Sequence, residues 1–228
     1  MVRTNLRTSK YDILDTFARL VAQLGYDEVS LRMVAEELNL SKGTIVHHYG
    51  TKDRILEAVH NDYMTRRLRE AHEILDRISD PADQLTAFVA QLLLAQRDDR
   101  PATVAFAREI ARVSTLELMK DVRAMRNQYA QLVQQAVQRG MDAGVFRRDD
   151  ADLITLQIFG MCNWSWTWLR RDGQWSIAEI VDTWVGTLLS GLNLRADGGA
   201  PDRAPIVEMV EQIMASSAAE RSAFTRGR

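Results

Sequence analysis

The chain has 228 residues, of which 46% are hydrophobic, so it can bury a sizeable core spread over one small and one larger domain. A formal charge of -2 and a pI near 6.1 exclude a polycation that holds nucleic acid by bulk charge, and one cysteine, Cys162, excludes an intrachain disulfide framework and suits a reducing compartment. No apolar run is long enough to span a bilayer and residues 1 to 8 are polar and basic rather than a secretory leader, so a cytoplasmic protein without a membrane partner is expected.

In chain order, Ser9 is placed to cap a first helix reaching about Leu24, with Ile13, Leu14, Phe17, Ala18 and Val21 inward. Gly25-Tyr26-Asp27 breaks it, with Tyr26 packed under the turn. Ser30 caps a short second helix whose apolar positions Leu31, Val34, Ala35 and Leu38 recur at three- and four-residue spacing, while Arg32, Glu36 and Glu37 face water. Asn39 can take the left-handed conformation that ends it, Leu40 folds back, and Ser41 caps the next helix at once. Two short helices crossed over so tight a turn are the geometry that places one of them in a DNA major groove.

Lys42, Gly43, Thr44, His47 and His48 occupy the first turns of that helix, with Ile45 inward. Gly43 permits close approach to a DNA backbone, Lys42 and Thr44 are suited to phosphates, and His47 and His48 are candidates for a phosphate or a base edge. Tyr49 is a further candidate, its hydroxyl toward a phosphate and its ring against the small domain, and Lys52 is a second candidate cation. Arg3, Arg7, Lys10 and Arg32 can join them on one face; Arg3 and Arg7 precede the first helix and read either as an arm reaching a groove or as a solvated tail.

Thr51 caps a long helix from about Lys52 to Arg77, whose Ile55, Leu56 and Val59 close the small domain and whose Arg66, Arg67, Arg69 and Glu70 cross solvent toward the larger one. Pro81 opens the next helix, with Leu85, Phe88, Val89, Leu92 and Leu93 as its apolar face, and the polar run from Gln96 to Pro101 interrupts it before another stretch near Thr103. A break at Val113-Ser114-Thr115 precedes a long helix through Arg139, ended by Gly140 and followed by Gly144. Further helices are expected over about Ala151 to Arg170 and, from the capping-box spacing of Ser176 and Glu179, to about Leu194. Ala196 to Pro201 reads as a linker, Ile206 to Ile213 as one short docked helix, and the last residues as loose. The fold expected is therefore all-α, with domains at 1–56 and 57–195 and a linker, helix and tail at 196–228.

The helix from Ala151 carries Phe159, Met161, Cys162, Trp164, Trp166 and Trp168, too many aromatic and sulfur side chains for one narrow stripe. Part of it belongs to the interior and part to a ligand or a second subunit. A cavity between Met161, Asn163, Trp164 and Trp168 and the helices bearing Phe88, Leu92, Phe106, Met125 and Tyr129 is the candidate ligand site, with Arg108 and Glu109 as candidate orienting charges. An enzyme is not expected: His47, His48, His60 and His72 form no HExxH, Cys162 has no sequence-defined partners, and no phosphate-binding loop or metal cluster appears. No cofactor is expected beyond a small-molecule effector.

Residues 9 to 56 resemble the N-terminal domain of the TetR family of one-component transcriptional regulators. The resemblance rests on Ile13, Leu14, Ala18, Leu20, the Leu24-Gly25-Tyr26 turn, Ser30-Leu31, Val34-Ala35, Leu40-Ser41-Lys42-Gly43-Thr44, His47-His48-Tyr49 and Lys52. The chain departs from the pattern at Val46, where an aromatic residue is common, and at Tyr49, where phenylalanine is more usual; Val46 leaves a surface that can touch a thymine methyl. The resemblance implies a homodimer on a palindromic operator, released when a small ligand enters the C-terminal domain, and hence a place at the nucleoid. It also implies a four-helix dimer interface from the last two large helices, with Ile158, Phe159, Cys162, Trp184, Val185, Leu188, Leu189 and Leu192 as its residues. The run Asn163 to Arg170 further resembles a subgroup tied to acyl-CoA and lipid catabolism, which implies a hydrophobic effector such as an acyl-CoA thioester. The alternative is a helical lipid-binding or protein-interaction module without sequence-specific DNA binding.

Overall fold

The computed structural model describes residues 10–192, and among them every regular element is helical. The elements are α1 (Lys10–Leu24), α2 (Leu31–Glu37), α3 (Lys42–Tyr49), α4 (Lys52–Arg77), α5 (Pro81–Asp98), α6 (Arg100–Arg108), α7 (Ile110–Thr115), α8 (Lys120–Asp142), α9 (Ala151–Trp164) and α10 (Ile177–Leu192). Short 3-10 turns at Glu117–Met119 and Ser165–Thr167 complete the path. The expectations for Ser9, for Arg3 and Arg7, and for residues 193–228 lie outside the described residues.

Local chemistry explains the first half of the chain. Ser30, Ser41 and Thr51 each accept a hydrogen bond from the backbone three residues on, at 3.2, 3.0 and 3.2 Å, and so start α2, α3 and α4. Asn39 sits at φ 54°, while Leu40 N–H donates to Ala35 O and Asn39 N–H to Glu36 O, a Schellman closure that turns the chain directly into Ser41. Ile13, Phe17 and Val21 of α1, Val34 of α2, Ile45 of α3 and Ile55, Leu56 and Val59 of α4 form the small core.

The helices α4, α5, α8, α9 and α10 pack into the larger bundle, and α1 lies along α6. α8 ends in a second Schellman closure: Gly144 at φ 70° lets Val145 N–H reach Gly140 O, and the chain doubles back so that Phe146 covers Gly140, where a Cβ would overlap the ring. Arg147 N–H then donates to Leu192 O at 2.7 Å, pinning the end of α10.

Four boundaries differ from the sequence reading, the first being that α8 runs through Gly140 to Asp142 instead of ending at Gly140. α6 begins at Arg100, before the expected Thr103, because proline fits the first turn of a helix, where its missing N–H is no loss. The helix ahead of α8 breaks at Glu109 and Leu116 rather than at Val113, which is fully buried. α9 stops at Trp164, six residues short of Arg170, where Ser165 Oγ caps Cys162 O at 2.6 Å and Arg100 takes the carbonyls of Trp166 and Leu169 at 3.0 and 2.8 Å.

Candidate functional site

α3 presents its outer side to solvent over the buried Ile45. Lys42, Gly43, Val46 and His47 are exposed, Thr44, His48 and Tyr49 half-buried. Thr44 Oγ1 lies 2.9 Å from Ser41 Oγ, so its hydroxyl is held at the helix start, where unsatisfied backbone amides favour an anion. The two imidazoles meet edge to face with centroids 5.7 Å apart. Arg32 is exposed and paired with Glu36 at 2.6 Å, a surface bond that exchanges readily.

Two residues read from sequence as phosphate contacts have other partners. The Lys52 ammonium donates to Tyr26 O and Val29 O, both at 2.8 Å, and lies 4.1 Å from the Tyr26 ring centroid. It is a staple of the α1–α2 turn, because a short loop leaves carbonyls that no helix satisfies. Tyr49 donates its hydroxyl proton to Lys10 O at 3.0 Å, so toward a phosphate it has no proton left to give.

Arg108 and Glu109, read as ligand-orienting charges, instead face the N-terminal domain. Arg108 Nη1 donates to Ala22 O at 3.0 Å, and Glu109 Oε1 accepts from Tyr26 N–H at 3.3 Å. Arg112 bridges Glu109 and Asp27 and lies over the same ring, its guanidinium 4.4 Å from the Tyr26 centroid. The Tyr26 hydroxyl donates to Asp53. Burial and the Asp53 carboxylate together hold the phenol well above its ordinary pKa, so it stays protonated. The kink between α6 and α7 is thus clamped onto the α1–α2 turn, a partnership of residues some 85 apart that no local pattern announces.

In the bundle interior Phe88 and Tyr129 meet edge to face at 6.3 Å, and Phe159, read as a dimer residue, lies 6.0 Å from Tyr129. Tyr129 donates to Gln91 Oε1 at 2.9 Å, while Gln91 Nε2 donates to Arg67 O and Glu70 Oε2, both at 3.0 Å. Leu92 is buried, Phe106 lies against His60 and Tyr63 at 5.2 Å from each, and Met125 Sδ accepts from Thr65 at 3.7 Å. Arg67 does not cross solvent as its charged neighbourhood suggested: its side chain is buried, paired with Glu70 at 2.8 Å and Asp99 at 3.7 Å. The sequence reading also missed His60, Tyr63, Gln96 and Thr103, all buried here. Their signal was present: His60, Tyr63 and Arg67 continue the inward stripe of Leu56 and Val59 at helical spacing.

Asn163, Trp164 and Trp168 do not line this interior. Asn163 is exposed, Trp164 is 66% exposed, and Trp168 forms a surface cluster with Trp175 and Trp184 at 6.4 and 5.8 Å. Met161 is half-buried. Asn163 and Trp164 fall on the outer side of α9 with Leu153, Leu156 and Gly160, and the early end of α9 takes Trp168 off the helix altogether.

The residues read as a subunit interface divide the same way. Ile158, Cys162, Val185, Leu188 and Leu192 are buried in the protomer's own core, while Trp184 and Leu189 are half-buried against it. Burial raises the Cys162 thiol to about 12, leaving it unreactive. The free face of α9 is the other stripe, Leu153 and Leu156 at 63% exposure each, Gly160 and Trp164; on α10 it carries Thr183, Gly186, Thr187, Ser190 and Gly191. Among the described residues no helix is long and apolar enough to cross a membrane, and no cluster of three metal-ligating side chains occurs.

Fold and site together define a protein whose N-terminal helix-turn-helix is clamped to a helical bundle. The model of the TetR family of bacterial regulatory proteins matches residues 13–59, and that of the tetracyclin repressor-like C-terminal domain matches residues 79–192. The chain belongs to the TetR family of transcriptional regulators, which are not enzymes. It is similar to the transcriptional repressor KstR2 of Mycolicibacterium smegmatis, 23% identical over 79% of this chain and 89% of the relative. Among solved structures it resembles the ketosteroid regulator KstR2 of Mycobacterium tuberculosis, with a TM-score of 0.76 at 18% identity over 83% of this chain and 97% of that one. It also resembles AibR in complex with isovaleryl coenzyme A and operator DNA, with a TM-score of 0.73 at 24% identity over 78% and 97%.

Proposed function

We propose that this chain is a ligand-responsive transcriptional repressor that binds a palindromic operator as a homodimer and leaves it when a hydrophobic small molecule such as an acyl-CoA occupies the C-terminal domain. The observation that carries the reading is α3, capped at Ser41, held by buried Ile45 and open on the side of Lys42, Gly43, Val46 and His47. Lys42 and Thr44 position the helix on phosphates, and Val46, His47 and His48 face the base edges. Residues 1–56 act as the reading module, with 57–195 as the sensing and dimerising one.

The exposed leucines and Trp164 of α9 support a two-fold contact, since apolar side chains so exposed gain by burial against a copy of themselves. The aromatic interior around Phe88, Phe106 and Tyr129 supports an apolar effector, and AibR, bound to isovaleryl coenzyme A, supports the acyl-CoA class. The protein acts in the cytoplasm, at the nucleoid.

Fluorescence anisotropy with duplexes selected from genomic fragments tests this. One discrete palindromic site is expected, bound by a dimer and weakened about tenfold or more by the joint change Lys42→Ala and Thr44→Ala. Isovaleryl coenzyme A is expected to weaken it by about 1–3 kcal/mol, several-fold to roughly a hundredfold. No preferred fragment at any salt concentration rejects the regulator; a preferred site that isovaleryl coenzyme A leaves unchanged rejects that effector.

A further inference from the structure

The nine-residue helix α6 is tied at its two ends to segments that lie far apart in the chain. At its start, Arg100 donates to Leu169 O at 2.8 Å and to Trp166 O at 3.0 Å, so one guanidinium forks onto two carbonyls of the segment that follows α9. That segment carries Trp168, which packs with Trp175 and Trp184 at the surface. At the other end Arg108 donates to Ala22 O at 3.0 Å, and Glu109, where α6 stops, accepts from Tyr26 N–H at 3.3 Å. The Tyr26 hydroxyl extends this tie to Asp53 in the first turn of α4.

Between its ends α6 is held differently. Its buried side chains are Ala102, Thr103, Val104 and Ala105, all short. Thr103 donates to Ala95 O of α5 at 3.0 Å, and toward α4 the helix presents the Phe106 ring, edge to face with His60, whose two nitrogens have no hydrogen-bond partner. Short side chains make shallow ridges, over which a helix can shift by a small shear, whereas its ends are fixed by directional bonds. A helix is stiff along its axis, so a displacement at Arg100 reaches Arg108, about 12 Å away at 1.5 Å per residue.

We propose that α6 is a strut coupling the tryptophan-bearing segment 165–169 to the α1–α2 turn, so that releasing either end loosens the other. The use of this coupling in operator release rests on the regulatory reading above; the coupling itself does not. It is reciprocal, because an energetic linkage between two sites acts equally in both directions. A helix merely bolted into the core would behave otherwise: sites more than about 10 Å apart that share no partner act independently, so each loss would stay at its own end.

The test is amide hydrogen exchange and tryptophan emission of the full chain, with neither DNA nor effector present. The amides of Gly25 and Val29, bonded to Val21 O and Tyr26 O, report the turn; those of Trp168 and Leu169, both bonded to Ser165 O, report the other end. All five tryptophans lie between residues 164 and 184, so emission reports that end alone. Glu109→Ala should raise exchange at Trp168 and Leu169 by about threefold or more and shift the emission, leaving the α8 amides unchanged. Arg100→Ala should raise exchange at Gly25 and Val29 to a similar degree. With Arg100 already replaced, Glu109→Ala should add nothing at Trp168 and Leu169, because the strut is cut. Arg100→Lys keeps the charge without the fork; it should give the same cross-end effect more weakly, and it replaces Arg100→Ala if that variant does not fold. Changes confined to the altered end, an effect of Glu109→Ala that persists without Arg100, or an equal rise in α8 overturns the proposal. Operator titration is separate: finding no preferred site refutes the regulator and leaves the strut standing.

Discussion

His60 makes stability depend on pH in a way that one substitution isolates. Burial lowers its pKa from 6.5 to about 4, so the folded chain stays unprotonated where the unfolded chain binds a proton. Between those values acid favours the unfolded state: the stabilisation is complete above pH 6.5 and disappears as pH falls toward 4. From pH 7 to pH 4.5 urea unfolding of the native chain should lose about 2 kcal/mol more than that of His60→Phe. Parallel losses in the two proteins would show that His60 is not buried neutral. Lys42 and Lys52 make a second contrast, since each is the first residue of its helix yet only Lys52 bonds to the α1–α2 turn. Lys42→Ala should lower the slope of log affinity against log salt by about one while leaving the melting temperature unchanged. Lys52→Met should do the reverse, costing about 2 kcal/mol of stability with the salt slope intact.

Among the elements, the α6–α7 kink is where the two modules meet. Arg112 touches Glu109, Asp27 and the Tyr26 ring at once, so it holds the α1–α2 turn from outside the small core. Arg112→Ala should raise hydrogen exchange of the amides of residues 25–29 by about tenfold and leave those of α8 as they were, because local opening then no longer breaks the clamp. Unchanged exchange would reduce the clamp to a surface contact. The start of α4 lies in the small core and its inward stripe continues past His60 to Arg67, so the one helix packs in both modules.

For the whole molecule the decisive surface is the outer stripe of α9. Leu156→Arg places a charge in the middle of that face without touching the protomer core, so sedimentation should give monomers at micromolar concentration with unchanged helical circular dichroism. A dimer that survives the substitution relocates the interface. The contrast variant Ile158→Arg should instead unfold the protomer, since Ile158 is wholly buried.

What the sequence determined by itself was whatever depends on near neighbours. Ser30, Ser41 and Thr51 cap the helices they were read to cap, Asn39 turns left-handed, and Ser176 and Glu179 form their reciprocal box at 2.8 and 3.2 Å, because each of those contacts spans three or four residues. The all-α class and the helix-turn-helix followed from the same short-range periods. Only the tertiary structure decided the direction of a side chain where its helix has two plausible inward faces. α9 carries an apolar stripe through Ile158 and Cys162 and another through Leu153, Leu156 and Trp164, and periodicity weighs them equally. Arg67 likewise reads in sequence as a charge crossing solvent, Lys52 as a phosphate contact, and Arg108 and Glu109 as ligand-orienting charges. Each acquires its role from partners brought close by packing of distant segments, which one-dimensional spacing does not encode.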